Sequence, residues 1–148
     1  MIRSIVVGTD GSETAKQAVQ EAAALAAAVG AVLTVVSAYA PVSGQRLREE
    51  RREAPEDVQW QVTPREDVDA MLSDAQRAIV KVGVSDVSTH AREGDPADAI
   101  LDVAEEKGCD LIVVGNKGMS GAKRFLLGSV PNRVSHHAPC SVLIVRTT

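Results

Sequence analysis

Short β-branched segments alternate along the chain with longer windows in which apolar residues recur every three or four positions. The first pattern is typical of buried strands, and the second of amphipathic helices. Five strands are predicted, at 5–7, 33–38, 87–91, 111–114 and 142–145. Strands that alternate with helices in this way favour an α/β fold, an open doubly wound five-stranded parallel sheet with four helices on its two faces.

Capping residues predict where the first two helices begin and end. Apolar periodicity places one helix over 15–29, with Ser12 as its N-cap and Gly30 at its end. The pair Thr63-Pro64, with a glutamate three residues after the threonine, predicts the start of a second helix that runs to about Gly83.

The same signals predict two further helices and one long connection. Asp95-Pro96 begins a third helix that stops at Gly108, and a fourth helix starts near Ser129, which is expected to cap it. Residues 41–62 fit neither period and carry two prolines among many arginines and glutamates. Long connections of this kind are either lids or disordered segments, and both readings stay open here.

Composition limits the classes of protein to consider. The chain has 148 residues, the length of one domain, so a single domain over 1–148 is expected. Aromatic residues make up only 2% of the chain and the net charge is −4. Modules that stack bases need several aromatic side chains, and readers of the phosphate backbone need a basic face. Nucleic acid is therefore not an expected partner.

One uncharged stretch, 22–40, is long enough to span a bilayer. Gly30 divides it into an alanine-rich half and a β-branched half, so a helix, a turn and a strand explain it better than a membrane span. The first residues do not resemble a secretory signal, because Asp10 follows only a short apolar run. We expect a cytoplasmic protein with no membrane contact.

Cysteines and histidines offer no metal site or disulfide framework. Cys109 and Cys140 stand far apart in the sequence without a C-x-x-C motif, and each precedes a predicted strand. Both are expected to be buried or partly buried small side chains. His136 and His137 are adjacent, which puts them on different faces of a helix, so no metal is expected there.

Two groups of residues follow predicted strands, where parallel sheets bind ligands. The first group is Gly8-Thr9-Asp10-Gly11-Ser12, and the second begins at Gly115-Asn116-Lys117-Gly118 and ends at Gly128-Ser129-Val130. Glycines and a helix start make the second group a candidate phosphate cradle, with Lys117, Lys123 and Arg124 as nearby charges. It matches neither a Walker P-loop nor the G-x-G-x-x-G motif. The alternative is that these glycines merely turn the chain.

Several segments resemble the universal stress protein family over essentially the whole chain. They are IVVGTDGS at 5–12, VVSAYAP at 35–41, EGDPADAILDVAEEKGCDLIVVG at 93–115 and SVLIVRT at 141–147. The spacing Gly115-x2-Gly118-x9-Gly128-Ser129 matches the ATP-binding signature of that family. The resemblance implies a Rossmann-like sheet with strand order 3-2-1-4-5.

The resemblance also implies a nucleotide site. Asp10 would lie beside the adenosine, and Ala38 would bound the adenine through its backbone. The ribose and phosphates would be lined by Val114, Gly115 and Gly118, and the phosphates held by Gly128, Ser129 and Val130. Gly8, Thr9 and Lys117 complete the expected set.

The expected function is ATP binding, with or without Mg²⁺, by a stress-response sensor or regulator. One alternative is AMP or cyclic AMP in the same pocket, and another is a nucleotide-free module that binds a protein through 41–62. No nucleophile stands beside a base, so we expect slow ATP hydrolysis at most and no efficient enzyme. The apolar last strand, Val142, Leu143, Ile144 and Val145, is expected to form a homodimer, as it does in the family.

Overall fold

In the computed structural model, which describes residues 1–40, 65–116 and 127–147, strands and helices alternate as predicted. The five strands are β1 (Ser4–Gly8), β2 (Val32–Tyr39), β3 (Val87–Glu93), β4 (Leu111–Gly115) and β5 (Ser141–Val145). The four helices are α1 (Glu13–Val29), α2 (Arg65–Val82), α3 (Pro96–Lys107) and α4 (Ser129–His137). Each predicted strand and helix is present within one or two residues of its expected bounds.

All five strands are parallel and lie in the order β3-β2-β1-β4-β5. The predicted α/β fold class, including the 3-2-1-4-5 order, is confirmed. The order reverses at β1, which pairs with β2 on one side and β4 on the other. Ligands of open parallel sheets bind at such a reversal, outside the carboxyl ends of the strands.

Side chains of β1 point alternately into two apolar layers. Ile5 and Val7 pack under α1 and α2, whereas Val6 packs under α3 and α4. All three are fully buried. Because both faces of the sheet are covered, the strands are apolar along their whole length rather than at alternate positions.

Four of the expected caps are present. Ser12 Oγ accepts a hydrogen bond from Ala15 N at 3.2 Å, and Asp95 Oδ1 accepts one from Asp98 N at 3.1 Å. Gly30 and Gly108 end α1 and α3 in the left-handed conformation, with φ of 73° and 57°. The proposed cap Thr63-Pro64 and the segment 41–62 lie outside the described residues.

One cap prediction is wrong. The N-cap of α4 is Gly128, and Ser129 is the first residue of the helix. The reason lies in the backbone, because Gly128 is still extended, with φ −59° and ψ 163°, and its carbonyl accepts a hydrogen bond from Asn132 N at 3.0 Å. Serine is a more frequent N-cap than glycine, which is why the sequence favoured it.

None of the helices in the described ranges has the length and apolar character needed to cross a membrane.

Candidate functional site at the carboxyl ends of β1 and β4

The turn after β1 is buried and held by its own side chains. Thr9 and Asp10 are only 2% and 4% exposed. Thr9 Oγ1 accepts a hydrogen bond from Gly11 N at 3.1 Å, and Asp10 Oδ1 accepts one from Ser12 N at 2.9 Å. Gly11 has φ of 79°, a conformation that favours glycine. Asp10 therefore stabilises a turn at the carboxyl edge of the sheet, where the ligand site is expected.

Hydrogen bonds to β2 fix this turn to the sheet. Thr9 N donates to the Val36 carbonyl at 3.0 Å, and the Ser37 hydroxyl donates to the Thr9 carbonyl at 2.6 Å. Because these atoms are buried, each hydrogen bond replaces one that the same backbone group makes with water in the unfolded chain. The Asp10 side chain is thus carried on a rigid support.

The start of α4 faces the same edge. No side chain in the described ranges caps this helix, so the first N–H groups have no side-chain acceptor there. Those N–H groups and the positive end of the helix dipole favour an anion.

Arg133 links α4 to the start of α3. Its guanidinium lies 3.4 Å from Asp95 and 2.9 Å from Asp98, at the start of α3. These half-exposed ion pairs contribute little energy, but they connect α4 to the neighbouring helix.

A small cavity of about 40 Å³ lies between the turn after β1, the end of β4 and the start of α4. Seven of the predicted site residues line it, namely Gly8, Asp10, Val114, Gly115, Gly128, Ser129 and Val130. A cavity of this volume holds a few water molecules or one small anionic group, whereas sites for whole ligands are about 300–1,000 Å³. The structure brings the predicted residues together around a space of phosphate size.

Other predicted residues lie elsewhere. Ala38 is buried among residues packed under α3 and lines neither this cavity nor its neighbour. Thr9 lines a second, larger groove of about 570 Å³ between α1 and α2, and Asp10 lies between the two spaces. Lys117, Gly118, Lys123 and Arg124 lie outside the described residues.

Sequence reasoning missed several lining residues, among them Thr14, Ala15, Pro131 and Thr147. Thr147 could have been found, because it follows β5 and the carboxyl ends of all parallel strands meet at one edge. Its backbone N and its hydroxyl both donate to Asn116 Oδ1, at 2.8 and 3.0 Å, and Asn116 is only 2% exposed. This pair joins the chain after β4 to the chain after β5 beside the cavity.

Gly115 lies close to the side chains of Thr147 and Ala18. A Cβ added there would lie 3.5 Å from Thr147 Cγ2 and 3.8 Å from Ala18 Cβ. These are ordinary contact distances, so the fold tolerates a methyl group, but a larger side chain would fill the cavity. The glycine therefore keeps the space open rather than serving a strained turn.

No group of three or more histidine, cysteine or acidic side chains that could hold a metal occurs in the described ranges. His136 and His137, at the end of α4, are both exposed. Their rings lie 6.5 Å apart, and they do not form a cluster with other metal ligands in the described part of the chain.

Comparisons with known proteins agree with the fold. The model of the universal stress protein family matches residues 1–146. A universal stress protein of Mycobacterium tuberculosis is 40% identical over 148 residues, covering 99% of this chain and 97% of the relative. A putative universal stress protein of Staphylococcus haemolyticus is 32% identical over 146 residues, covering 98% and 85%.

Solved structures give the same result. A universal stress protein crystallised in complex with cAMP superposes with a TM-score of 0.76 at 35% identity, covering 99% of each chain. A universal stress protein of Archaeoglobus fulgidus in complex with dAMP superposes with a TM-score of 0.66 at 28% identity, covering 97% of this chain and 98% of its own. The chain belongs to the universal stress protein family.

Proposed function

We propose that this protein binds an adenine nucleotide at the carboxyl ends of β1 and β4 and acts as a stress-response sensor or regulator. The observation that carries the proposal is the convergence of Asp10, Gly115 and the uncapped start of α4 on one phosphate-sized cavity. The complexes of related proteins with cAMP and dAMP support an adenine nucleotide as the ligand. ATP, with or without Mg²⁺, is the nucleotide that the glycine spacing favours.

Each part of the cavity has a chemical role in this proposal. Backbone N–H groups of Ser129 and Val130 donate to a phosphate, because these donors at the start of α4 have no side-chain cap among the described residues. The Asp10 carboxylate accepts a hydrogen bond from a ribose hydroxyl, since an ionised carboxylate is only an acceptor. The sugar and base occupy space beyond the cavity, because 40 Å³ is far below the roughly 300–1,000 Å³ of sites for whole ligands.

A mononucleotide, AMP or cyclic AMP, is the second candidate. It needs donors for one phosphate only, and the start of α4 supplies such donors among the described residues. A triphosphate requires further donors, and the candidates Lys117, Lys123 and Arg124 lie in the 117–126 segment outside the described residues. Calorimetric titration with ATP, AMP and cyclic AMP separates the two, since preference for ATP by tenfold or more requires contacts to the additional phosphates.

We further propose that the protein is not an efficient catalyst. In the described ranges, no serine or cysteine side chain is hydrogen-bonded to a histidine or a carboxylate, and the site offers only positioning and phosphate charge. Turnover of ATP should therefore stay below about 1 per second, the low end of ordinary enzymes.

Ser129→Pro tests the phosphate contact directly. Proline is tolerated at the first position of a helix, and the extended Gly128 before it is compatible with a following proline. The substitution removes one N–H donor, so nucleotide affinity should fall about 10- to 100-fold, the worth of a hydrogen bond to a charged group. Calorimetry measures the loss.

Ser129→Ala is the matched control, because it removes the hydroxyl and keeps the N–H group. Its affinity should stay within about threefold of the parent, since Ser129 is not the cap. Equal losses in the two variants would refute the backbone contact. If neither the parent nor its variants binds any of the three nucleotides, the chain is a nucleotide-free interaction module, and the partner surface is then sought at 41–62.

A homodimer through β5 completes the proposal. This strand lies at the edge of the sheet and is apolar at Val142, Leu143, Ile144 and Val145, and Leu143 is 39% exposed. An apolar edge strand pairs readily with a second chain. Size-exclusion chromatography with light scattering at micromolar concentration should give twice the 15.6 kDa mass of one chain, and a strict monomer would refute the dimer.

A further inference from the structure

The two cysteines meet at the end of the sheet opposite the cavity. Cys109 and Cys140 are 31 residues apart in sequence, yet their Sγ atoms lie 3.5 Å apart. Cys109 directly follows Gly108, the C-cap of α3, and Cys140 directly precedes β5. Both thiols are free.

Strand pairing explains this approach and makes a covalent bond feasible. Leu111 pairs with Ser141, so β4 and β5 begin side by side. By the same register Cys140 lies opposite Asp110, the residue next to Cys109, so the two cysteines lie on neighbouring chain segments one residue out of register. The observation that makes a bond feasible is the approach of the two Sγ atoms to 3.5 Å, which a disulfide shortens to about 2.05 Å.

The two thiols differ in their surroundings. Cys109 is 8% exposed, and its backbone N donates to the Ala104 carbonyl at 3.0 Å, which fixes its position. Burial, and then the hydrogen bond with Cys140, raise the pKa of the Cys109 thiol to about 12. Cys140 is half-buried, so a small oxidant reaches it more easily. Because a thiolate attacks much faster than a thiol, the raised pKa makes Cys109 the slower partner, and Cys140 is the thiol that an oxidant reaches first.

We propose that Cys109 and Cys140 form a redox-active dithiol that a peroxide converts reversibly into an intramolecular disulfide. Hydrogen peroxide oxidises the Cys140 thiol to a sulfenic acid and is itself reduced, releasing one water. The Cys109 sulfur then attacks the Cys140 sulfur and displaces hydroxide, which leaves with the Cys109 proton as a second water. Two thiols and one peroxide thus give one disulfide and two waters.

The new bond would close a covalent ring from 109 to 140. That ring contains β4 and α4, the two elements that supply Gly115 and Ser129 to the cavity. A cross-link stabilises a fold mainly because it restricts the unfolded chain, and a ring of this length should raise the melting temperature by about 10 °C. The inference stands on the thiol geometry alone and is independent of nucleotide binding.

Mass spectrometry of the intact protein tests the proposal. After treatment with hydrogen peroxide, the mass should fall by about 2 Da, for the loss of two hydrogen atoms, and the thiol count in denaturant should fall from two to zero. Non-reducing digestion should link the Cys109 peptide to the Cys140 peptide. Dithiothreitol should restore the mass, the thiols and the original melting temperature.

Cys140→Ser is the matched control, because it keeps a small polar side chain at the half-buried position. This variant should show no loss of 2 Da and no rise in melting temperature, since no second thiol is present. Cys109→Ala gives the complementary test, in which Cys140 should gain oxygen, by about 16 or 32 Da, and form no internal link.

Three results would overturn the proposal: two thiols that persist in the oxidised parent, oxygen added to Cys140 in the parent without loss of the Cys109 thiol, or disulfides only between chains. In each case the 3.5 Å approach is a packing contact and not a redox pair.

Discussion

The two ends of the sheet are each held by one side chain that accepts two hydrogen bonds, but the acceptors differ in charge and burial. At the carboxyl end, the Asn116 amide oxygen accepts both bonds from Thr147, and Asn116 is buried. At the amino end, Asp110 Oδ2 accepts from Arg3 N at 2.7 Å and Ser4 N at 3.0 Å, and this carboxylate is accessible to solvent.

This difference follows from the cost of burying charge. The Asn116 acceptor is a neutral amide, which costs less to bury than a carboxylate does. An acceptor in contact with water can be ionised, and its hydrogen bonds are then stronger. The contact between Asn116 and Thr147 should therefore be insensitive to pH, while the contact of Asp110 with the backbone of Arg3 and Ser4 should weaken in acid.

The largest effect is expected for Asn116→Ala. It removes a buried acceptor, so the Thr147 N–H group loses its hydrogen bond to the Asn116 side chain. The free energy of unfolding should fall by about 2 kcal/mol. Urea denaturation at several pH values between 5 and 9 should give the same loss throughout.

Thr147→Val is the control, because it removes the 3.0 Å hydroxyl bond and keeps the 2.8 Å backbone bond. Its loss should be smaller, about 1 kcal/mol. If Asn116→Ala is no more destabilising than Thr147→Val, the backbone bond does not hold this end of the sheet.

A smaller effect, with a different pH dependence, is expected for Asp110→Asn. The two backbone hydrogen bonds from Arg3 and Ser4 lower the pKa of Asp110 from its ordinary value of 3.8. The folded state then binds the proton less readily than the unfolded state, so the carboxylate stabilises the fold above pH 3.8, and this contribution is lost as the pH falls through the folded-state pKa.

The difference in melting temperature between the parent and Asp110→Asn should therefore be constant at neutral pH and should decrease in acid. Differential scanning calorimetry from pH 7 to pH 2.5 measures it, and Asp98→Asn, which loses an exposed ion pair with Arg133, is a matched carboxylate control. A difference that persists unchanged at the lowest pH would contradict the assigned pKa direction.

The fold could be predicted from local patterns because nearby residues determine where most of its helices and strands begin and end. Gly30 and Gly108 end helices as expected, since a left-handed residue is needed there and glycine adopts it most easily. At Gly128 the local preference was misleading, because the extended backbone of the glycine and not the side chain of Ser129 decides where α4 begins.

The candidate site could be predicted only in part. Residues after β1 and β4 were found because the topology brings these strands together, but the size of the cavity depends on packing that no local pattern encodes. The approach of Cys109 to Cys140 was missed for a related reason. The two cysteines are far apart in sequence, and they meet only because the strands that follow them, β4 and β5, are neighbours in the sheet.

The alternation of side chains along β1 has a consequence for cooperativity. Because Ile5 and Val7 belong to one apolar layer and Val6 to the other, neither layer can melt while the other keeps its central strand. The described part of the chain should thus unfold in a single two-state transition. A substitution at either end of the sheet then lowers the stability of the whole described fold. The losses in unfolding free energy for Asn116→Ala and Asp110→Asn can therefore be compared directly.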